Sequence, residues 1–298
     1  MSTIRTGDLA HFNRTTGNIQ DVQSRVRAAH LQVSTGKAAH SYAELGADSG
    51  TLMRTETALK RTETFAEQNG RLTNELNLMD GALATIEDVA QEFRQVLMAR
   101  RNEASGDAVK LDLEAEGMID RVVNALNLKV DGRYAFAGSR TDTPPVDPAA
   151  MGDPADASYY NGDDIPLRAR IDVDAEATYG VTADAGGFRE LLEGLKLAVA
   201  GHTADDDDQL RQAANLADTA LDGVIAERGA LATVTSRVES TRASLEGTAL
   251  YLKDTVSSIV DTDVPATMAK IAQDQVSLEA SYAITSRLSR LSLSDYLR

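Results

Sequence analysis

The sequence predicts a mainly α fold: an elongated helical rod of long antiparallel helices from both chain ends, with a small β-rich insert between them. Three observations carry this expectation. Five of the six prolines (Pro144, Pro145, Pro148, Pro154 and Pro166) fall in one short stretch, which leaves both flanks free to be helical. Apolar residues recur along those flanks in alternating steps of three and four. Aromatic residues are only 4% of the 298, too few to supply the buried area of one large compact core.

The first helix carries Phe12, Thr15, Ile19, Val22, Val26, Ala29 and Val33 on one seam and is expected to stop at Gly36, a residue suited to a left-handed C-cap. A second helix is expected from an N-cap near Asp48 or Ser49 to about Glu103. Its seam is Leu72, Leu76, Met79, Leu83, Ile86, Ala90, Phe93 and Leu97. At 1.5 Å per residue it would be about 80 Å long, and Gly70 and Gly81 inside it would each cost about 1 kcal/mol relative to Ala. A third helical segment is expected from about Asp107 to Val130, ending at Asp131-Gly132.

The middle of the chain reads differently. Tyr159 to Ile171 places the turn dipeptide Asn161-Gly162 before alternating apolar and polar residues, which predicts a β-hairpin in a small β-rich module. Helical period resumes from about Phe188 to Val199. In the second flank Val224, Leu231, Val238, Leu245, Leu252 and Ile259 recur every seven residues, with Val234, Thr241, Thr248 and Thr255 at the companion position. Asp263 then Pro265 predicts the cap and first turn of a last helix. The divisions expected are 1–40 and 261–298 as amphipathic assembly helices, 41–130 and 188–260 as the rod, and 131–187 as the insert.

Composition narrows the function. With 30 Lys+Arg against 46 Asp+Glu, the formal net charge of −16 would repel nucleic acid and anionic lipid, so neither is an expected partner. The absence of Cys excludes disulfides, thiolate metal sites and a Cys nucleophile. No run approaches the ~18 apolar residues of a membrane span, and the segment MSTIRTGDLAHFNRTTGN has no apolar signal stretch, so cytosol or a signal-independent export route is expected.

Motifs for chemistry are not found. His11, His30, His40 and His202 are scattered without metal-ligand spacing, and Gly36-Lys37 has neither the glycine nor the hydroxyl residue that a phosphate loop requires around it. The run Asp205-Asp206-Asp207-Asp208 lacks the spaced ligands and glycine of a calcium loop and reads as a solvated helix start. Asp163-Asp164 has no convergent partner for acid/base work, and Gly138-Ser139 lacks the frame of a nucleophile elbow. No catalytic, cofactor or metal residues are therefore nominated, and an enzyme is not expected.

A seam is useful only when another helix covers it. Two flanks of similar length can cover each other, but nothing remains in the chain to surround the outermost helices completely. Those helices are expected to be the least stable part of an isolated molecule and to be built for further partners. The assembly contacts are assigned to Ile19, Val22, Val26 and Val33 with Leu278, Tyr282, Leu288 and Leu291.

The terminal segments also resemble a known family. Leu31-Gln32-Val33-Ser34-Thr35-Gly36-Lys37 is similar to the corresponding N-terminal region of the bacterial flagellin superfamily. Asp261-Thr262-Asp263, the segment Gln273 to Tyr282, and Leu291 to Leu297 resemble the C-terminal signature of the flagellar hook-associated protein 3 family more than that of flagellin itself. Gly132 to Pro145 is similar to that family's passage from helical rod into β-rich module. The resemblance covers most of the chain in order, except about 146–186. After Gly36-Lys37 the family often has a Ser-Asp-Asp-Pro-like turn, where this chain reads Ser41 to Asp48.

The resemblance implies a structural subunit of the extracellular bacterial flagellum, exported unfolded by the flagellar type III apparatus. It would sit between hook-associated protein 1 and the flagellin filament, with its own copies in a ring and a flagellar export chaperone as a further partner. No cofactor is implied. The rival readings are flagellin itself and a cytosolic signalling coiled coil, the latter predicting no β module.

Overall fold

The computed structural model describes residues 3–100, 110–148 and 158–296, with the backbone alone for 3–12 and 288–296. Its described residues form six α-helices and two two-stranded antiparallel sheets. The helices are α1 (Thr3–Thr35), α2 (Ser49–Arg100), α3 (Leu111–Leu126), α4 (Gly186–Ala204), α5 (Asp207–Val260) and α6 (Val264–Tyr296). The strands are β1 (Lys129–Val130), β2 (Arg133–Tyr134), β3 (Leu167–Asp172) and β4 (Ala175–Tyr179). The chain divides into two compact units. Unit 1 is residues 1–60 with 249–298, and unit 2 is residues 61–248.

In unit 2 the α2 and α5 segments run antiparallel. Gly70 lies by the Arg242 side chain, Asp80 bonds Arg228, and Arg94 meets Asp218 at 3.1 Å, so positions rise along one helix as they fall along the other. The seam predicted for α2 is where the core forms: all eight residues from Leu72 to Leu97 are buried, and so are Val224, Leu231, Val238 and Leu245 of α5. Each large apolar side chain removed from water here contributes about 1.5–3 kcal/mol, which the short-range propensity of either helix could not match. The companion hydroxyls need no partner helix. Thr241 and Thr248 each donate to the carbonyl four residues back, Arg237 O and Ser244 O.

Arg228 pins the register of this pair. Its guanidinium grips both oxygens of Asp80 at 2.8 and 3.1 Å and reaches Glu87 at 3.0 Å. That pairing holds the Asp80 carboxyl below its usual range and raises the Arg228 guanidinium further. The group is partly open to solvent, so it fixes alignment more than it adds stability.

Helices α3 and α4 pack on one another and on the same core through Leu111, Met118, Val122 and Leu126, and through Phe188, Leu191, Leu192 and Leu195. One close approach could not be read from periodicity. Where α4 crosses α5, a Cβ on Gly187 would stand 2.7 Å from the Gly223 carbonyl carbon and the Val224 nitrogen, so the crossing requires glycine.

Three expectations are corrected. The helix expected over Asp107–Val130 spans Leu111–Leu126, with Asp107 outside the described residues. It stops because the Asn127 side chain turns to the backbone of Val146, donating to its O at 2.9 Å and accepting from its N at 3.1 Å. Asp131-Gly132 is then not a helix end but a hairpin turn: both residues have positive φ (49° and 81°), and the flanking pairs Val130↔Arg133 and Lys129↔Tyr134 make β1 and β2.

The hairpin expected over Tyr159–Ile171 is also displaced. Leu167–Asp172 is a strand, but its partner is the downstream β4, across a turn at Val173-Asp174. The Asn161-Gly162 stretch instead returns to Pro145 and Val146, with Asn161 N donating to Pro145 O at 2.9 Å and Tyr160 bridged to Val146. A Cβ on Gly162 would lie 2.3 Å from the Tyr160 hydroxyl, so this glycine serves packing rather than a tight turn. Asp163 is a staple: it accepts from Ser139 N at 2.7 Å, Ser139 Oγ at 2.5 Å and Ile165 N at 3.2 Å, bonds that lower its carboxyl pKa.

The third correction is local. Of the two cap positions expected for α2, Ser49 is instead the first residue of the helix, its hydroxyl donating backwards to Gly46 O at 2.8 Å, which leaves Asp48 at the cap position.

The crossing at Gly187 sets a test. Gly187→Ala is expected to destabilise unit 2 by about 1–3 kcal/mol through overpacking. Gly117→Ala, at an α3 position where an added Cβ meets nothing within 4 Å, is expected to stabilise by about 0.5–1 kcal/mol. Urea unfolding of the two variants reads both signs.

Candidate functional site

The nominated side chains lie in unit 1, on the two helices at the chain ends. Helix α1 breaks at Gly36, whose φ of +71° is the left-handed stop that the sequence suggested. Helix α6 is started by Asp263, whose Oδ1 accepts from Ala266 N at 3.0 Å. Between these ends the chain closes on itself: Thr262 N donates to Gly36 O at 2.9 Å, Ala38 N donates to Val260 O at 2.8 Å, and Lys37 bridges Asp261.

From that closure α1 and α6 run back antiparallel, packed along one another. Arg25 pairs with Asp274 through two bonds of 3.0 and 3.4 Å, and farther along Gln23 Nε2 donates to the Tyr282 hydroxyl at 2.6 Å. The ion pair raises the Arg25 guanidinium, with the hydrogen bond to Asp274 as the main cause. Arg25 is exposed and Asp274 only half-buried, so solvent screens the ion pair and its role is to orient the two helices.

The geometry gathers most of the nominated residues. Ile19, Val22, Val26 and Val33 are half-buried along α1, and Leu278 is half-buried on α6. Tyr282 stays 48% exposed while its hydroxyl is held by Gln23. Leu288 and Leu291 belong to α6, but their side chains lie outside the described residues. Gln23, Arg25 and Asp274 were not singled out in the sequence. The available signal was a pair of opposite charges, one beside each seam, and it becomes specific only when the two helices are known to be antiparallel.

Helix α6 carries two stripes. Thr267, Ile271, Asp274, Leu278 and Thr285 are buried or half-buried, and Ile271 is only 7% exposed. Ala269, Ala272, Val276, Ala280 and Ala283 also recur in steps of three and four, but all are exposed, Val276 at 66%. One face is thus covered within the chain and another is not.

Among the described residues there is no group of three or more His, Cys, Asp or Glu side chains placed to hold a metal ion, and no helix is long and apolar enough to cross a membrane. Asp206 in the acidic run caps α5, its Oδ1 accepting from Asp208 N at 2.9 Å and Gln209 N at 3.2 Å. The described side chains where α1 and α6 meet form a packing surface.

Paired helices from the two chain ends, with a covered and an uncovered face, define a mainly helical protein whose terminal segments pack on one another. The chain belongs to the bacterial flagellin family: residues 9–141 match the bacterial flagellin N-terminal helical region, and residues 214–297 match the C-terminal helical region. It is 23% identical over 250 residues to flagellar hook-associated protein 3 of Escherichia coli (strain K12), covering 74% of this chain and 77% of that protein. Its fold is similar to that of a flagellar hook-associated protein from Vibrio parahaemolyticus, with TM-score 0.63 and 14% identity over 72% of this chain and 97% of that one. It is also similar to FlgL of Bacillus cereus, with TM-score 0.57 and 16% identity over 69% and 98%.

The cap on α6 gives a local test. Asp263→Ala is expected to cost roughly 1 kcal/mol at the start of α6. Hydrogen exchange at Ala266 and Thr267 should speed up by about fivefold, with amides of the unit 2 core unchanged.

Proposed function

We propose that this chain is a structural subunit of the bacterial flagellum that joins hook to filament, working from outside the cell after export through the flagellar route. The observation that carries the reading is the uncovered stripe of α6 beside a covered one. A helix paired with α1 on one face still presents Ala269, Ala272, Val276, Ala280 and Ala283 to solvent, and such a stripe gains most when a neighbouring subunit covers it. Family membership supports a flagellar role, and the likeness to hook-associated protein 3 favours the junction over the filament.

On this reading the assembly helices are the segments 1–40 and 261–298. Ile19, Val22, Val26, Val33, Leu278, Tyr282, Leu288 and Leu291 belong to the packing that sets them in place. The partners are hook-associated protein 1 on one side, flagellin on the other, copies of this chain in a ring, and a chaperone before export.

Deleting the gene should leave cells with hooks but no attached filaments, and should release flagellin into the medium. Filaments lacking this chain while the junction stays intact would make it a filament subunit instead. Val276→Asp, on the exposed stripe, should leave the circular dichroism of the isolated chain unchanged and abolish motility. Leu278→Asp, on the covered stripe, should abolish motility and also loosen α1 from α6.

A further inference from the structure

The β3–β4 hairpin of unit 2 is fastened to α2 at two polar points. Near its turn, Asn69 Nδ2 donates to Ile171 O at 2.9 Å, with Asn69 itself buried. At its open end, where Leu167 pairs with Tyr179, the Tyr179 hydroxyl is hydrogen-bonded to the Glu75 carboxyl. Asn69 and Glu75 lie about 9 Å apart along the helix axis. The apolar part of the attachment is small, consisting of Ile171 and Ala177 buried in the core with Ala169, Ala175 and Tyr179 packed against it. A two-stranded hairpin has little stability of its own, so it stays in place only while this attachment holds.

The two fastenings differ in kind. Asn69 carries no ionisable group, whereas Glu75 is a half-buried carboxyl. Tyr179 acts on it from β4, and Asp131 and Arg133 act on it by charge from the β1–β2 hairpin. Arg71, one turn earlier on α2, pairs with Glu67 at 3.7 Å. The two arginines of β3, Arg168 and Arg170, are exposed, and Arg170 turns to the Val173 carbonyl at 3.1 Å.

We propose that the β3–β4 hairpin is a proton-sensitive flap, held to α2 by a neutral clamp at Asn69 and a titratable clamp at Glu75, and that it lifts more readily as Glu75 ionises. Burial first, and then the like charge of Asp131, raise the Glu75 carboxyl above its usual range. These outweigh the Tyr179 hydrogen bond and the Arg133 charge, which favour the ionised form. The docked hairpin therefore prefers a protonated Glu75. Its contribution is complete below the value of a free glutamate, about 4.3, and is lost as pH rises through the higher docked value. Lifting the hairpin admits water to the carboxylate, so ionisation favours the lifted state. Tyr179 is pushed up to about 12, chiefly by burial, and so remains a donor throughout. The opening is local, because the α2 and α5 seams do not depend on the hairpin for their contact.

The test is hydrogen exchange of the full-length chain by mass spectrometry at about pH 5 and about pH 7.5. Rates are expressed as protection factors, which removes the intrinsic pH dependence of exchange. Protection over residues 167–179 should fall by roughly fivefold from the lower to the higher pH, while residues 217–231 of α5 stay unchanged. Glu75→Gln should abolish the fall and leave the hairpin protected at both values. Asp131→Asn, at a φ of +49° that Asn readily adopts, should make the fall smaller. Asn69→Ala should lower protection at both values and keep the fall. Protection that is constant or rises with pH in the natural chain overturns the proposal, as does a fall that persists in Glu75→Gln or an equal fall over 217–231. Should Glu75→Gln not fold, Asp131→Asn decides: a fall as large as in the natural chain overturns the proposal.

Discussion

The fold depends on one long-range fit, in which the α2 stripe from Leu72 to Leu97 is covered by the α5 stripe from Val224 to Val238. Asp80 and Arg228, which meet directly, are 148 positions apart in sequence. Neither helix can bury its stripe until the other exists, and a helix with one uncovered apolar face has little stability of its own in water. Around that pairing α3 and α4 extend the core it begins, the β3–β4 hairpin joins it through Ile171 and Ala177, Val130 of β1 packs against it, and the ring of Tyr159 is buried in it.

The two units use different chemistry to stay together. Unit 2 has fully buried Phe93, Phe136, Phe188 and Tyr159, and burial of the Tyr159 phenol raises its pKa strongly. The described part of unit 1 relies on half-buried Val and Ile, with polar bonds such as Gln23 to Tyr282 supplying alignment. Small side chains bring helices close but bury little area each, so the α1–α6 pair is ordered with modest energy. The α1–α6 pair keeps one stripe uncovered, whereas the core of unit 2 is closed on itself.

Much of this architecture was legible because it depends on period. The α2 and α5 seams were readable residue by residue, since burial along a long helix repeats every seven positions and nothing local interferes. Gly36 and Asp263 were readable as stops and starts because their chemistry acts within a single turn. The central module was less legible. Asn161-Gly162 has the composition of a hairpin turn, yet Tyr160 and Pro145 recruit it to another purpose, and Asp131-Gly132, taken for a helix end, makes the hairpin. Gly187 gave no sign of its role, because a close crossing is a property of two helices and not of one sequence window. At the chain ends the covered stripe was legible as a seam, while the exposed Ala269 to Ala283 stripe and the Arg25–Asp274 brace emerged only with the partner helix in place.

The closure between Gly36 and Thr262 has a practical side. Because α1 and α6 leave it antiparallel and each spans 33 residues, the amino and carboxyl extremities of the pair come to the same place. A fluorescent protein or affinity tag fused at either extremity crowds the tip of both helices at once, and moving it from one extremity to the other brings no relief. The turn at Val173-Asp174, in the other unit and bounded by two short strands, is where a reporter dye or epitope can be carried while both extremities stay bare.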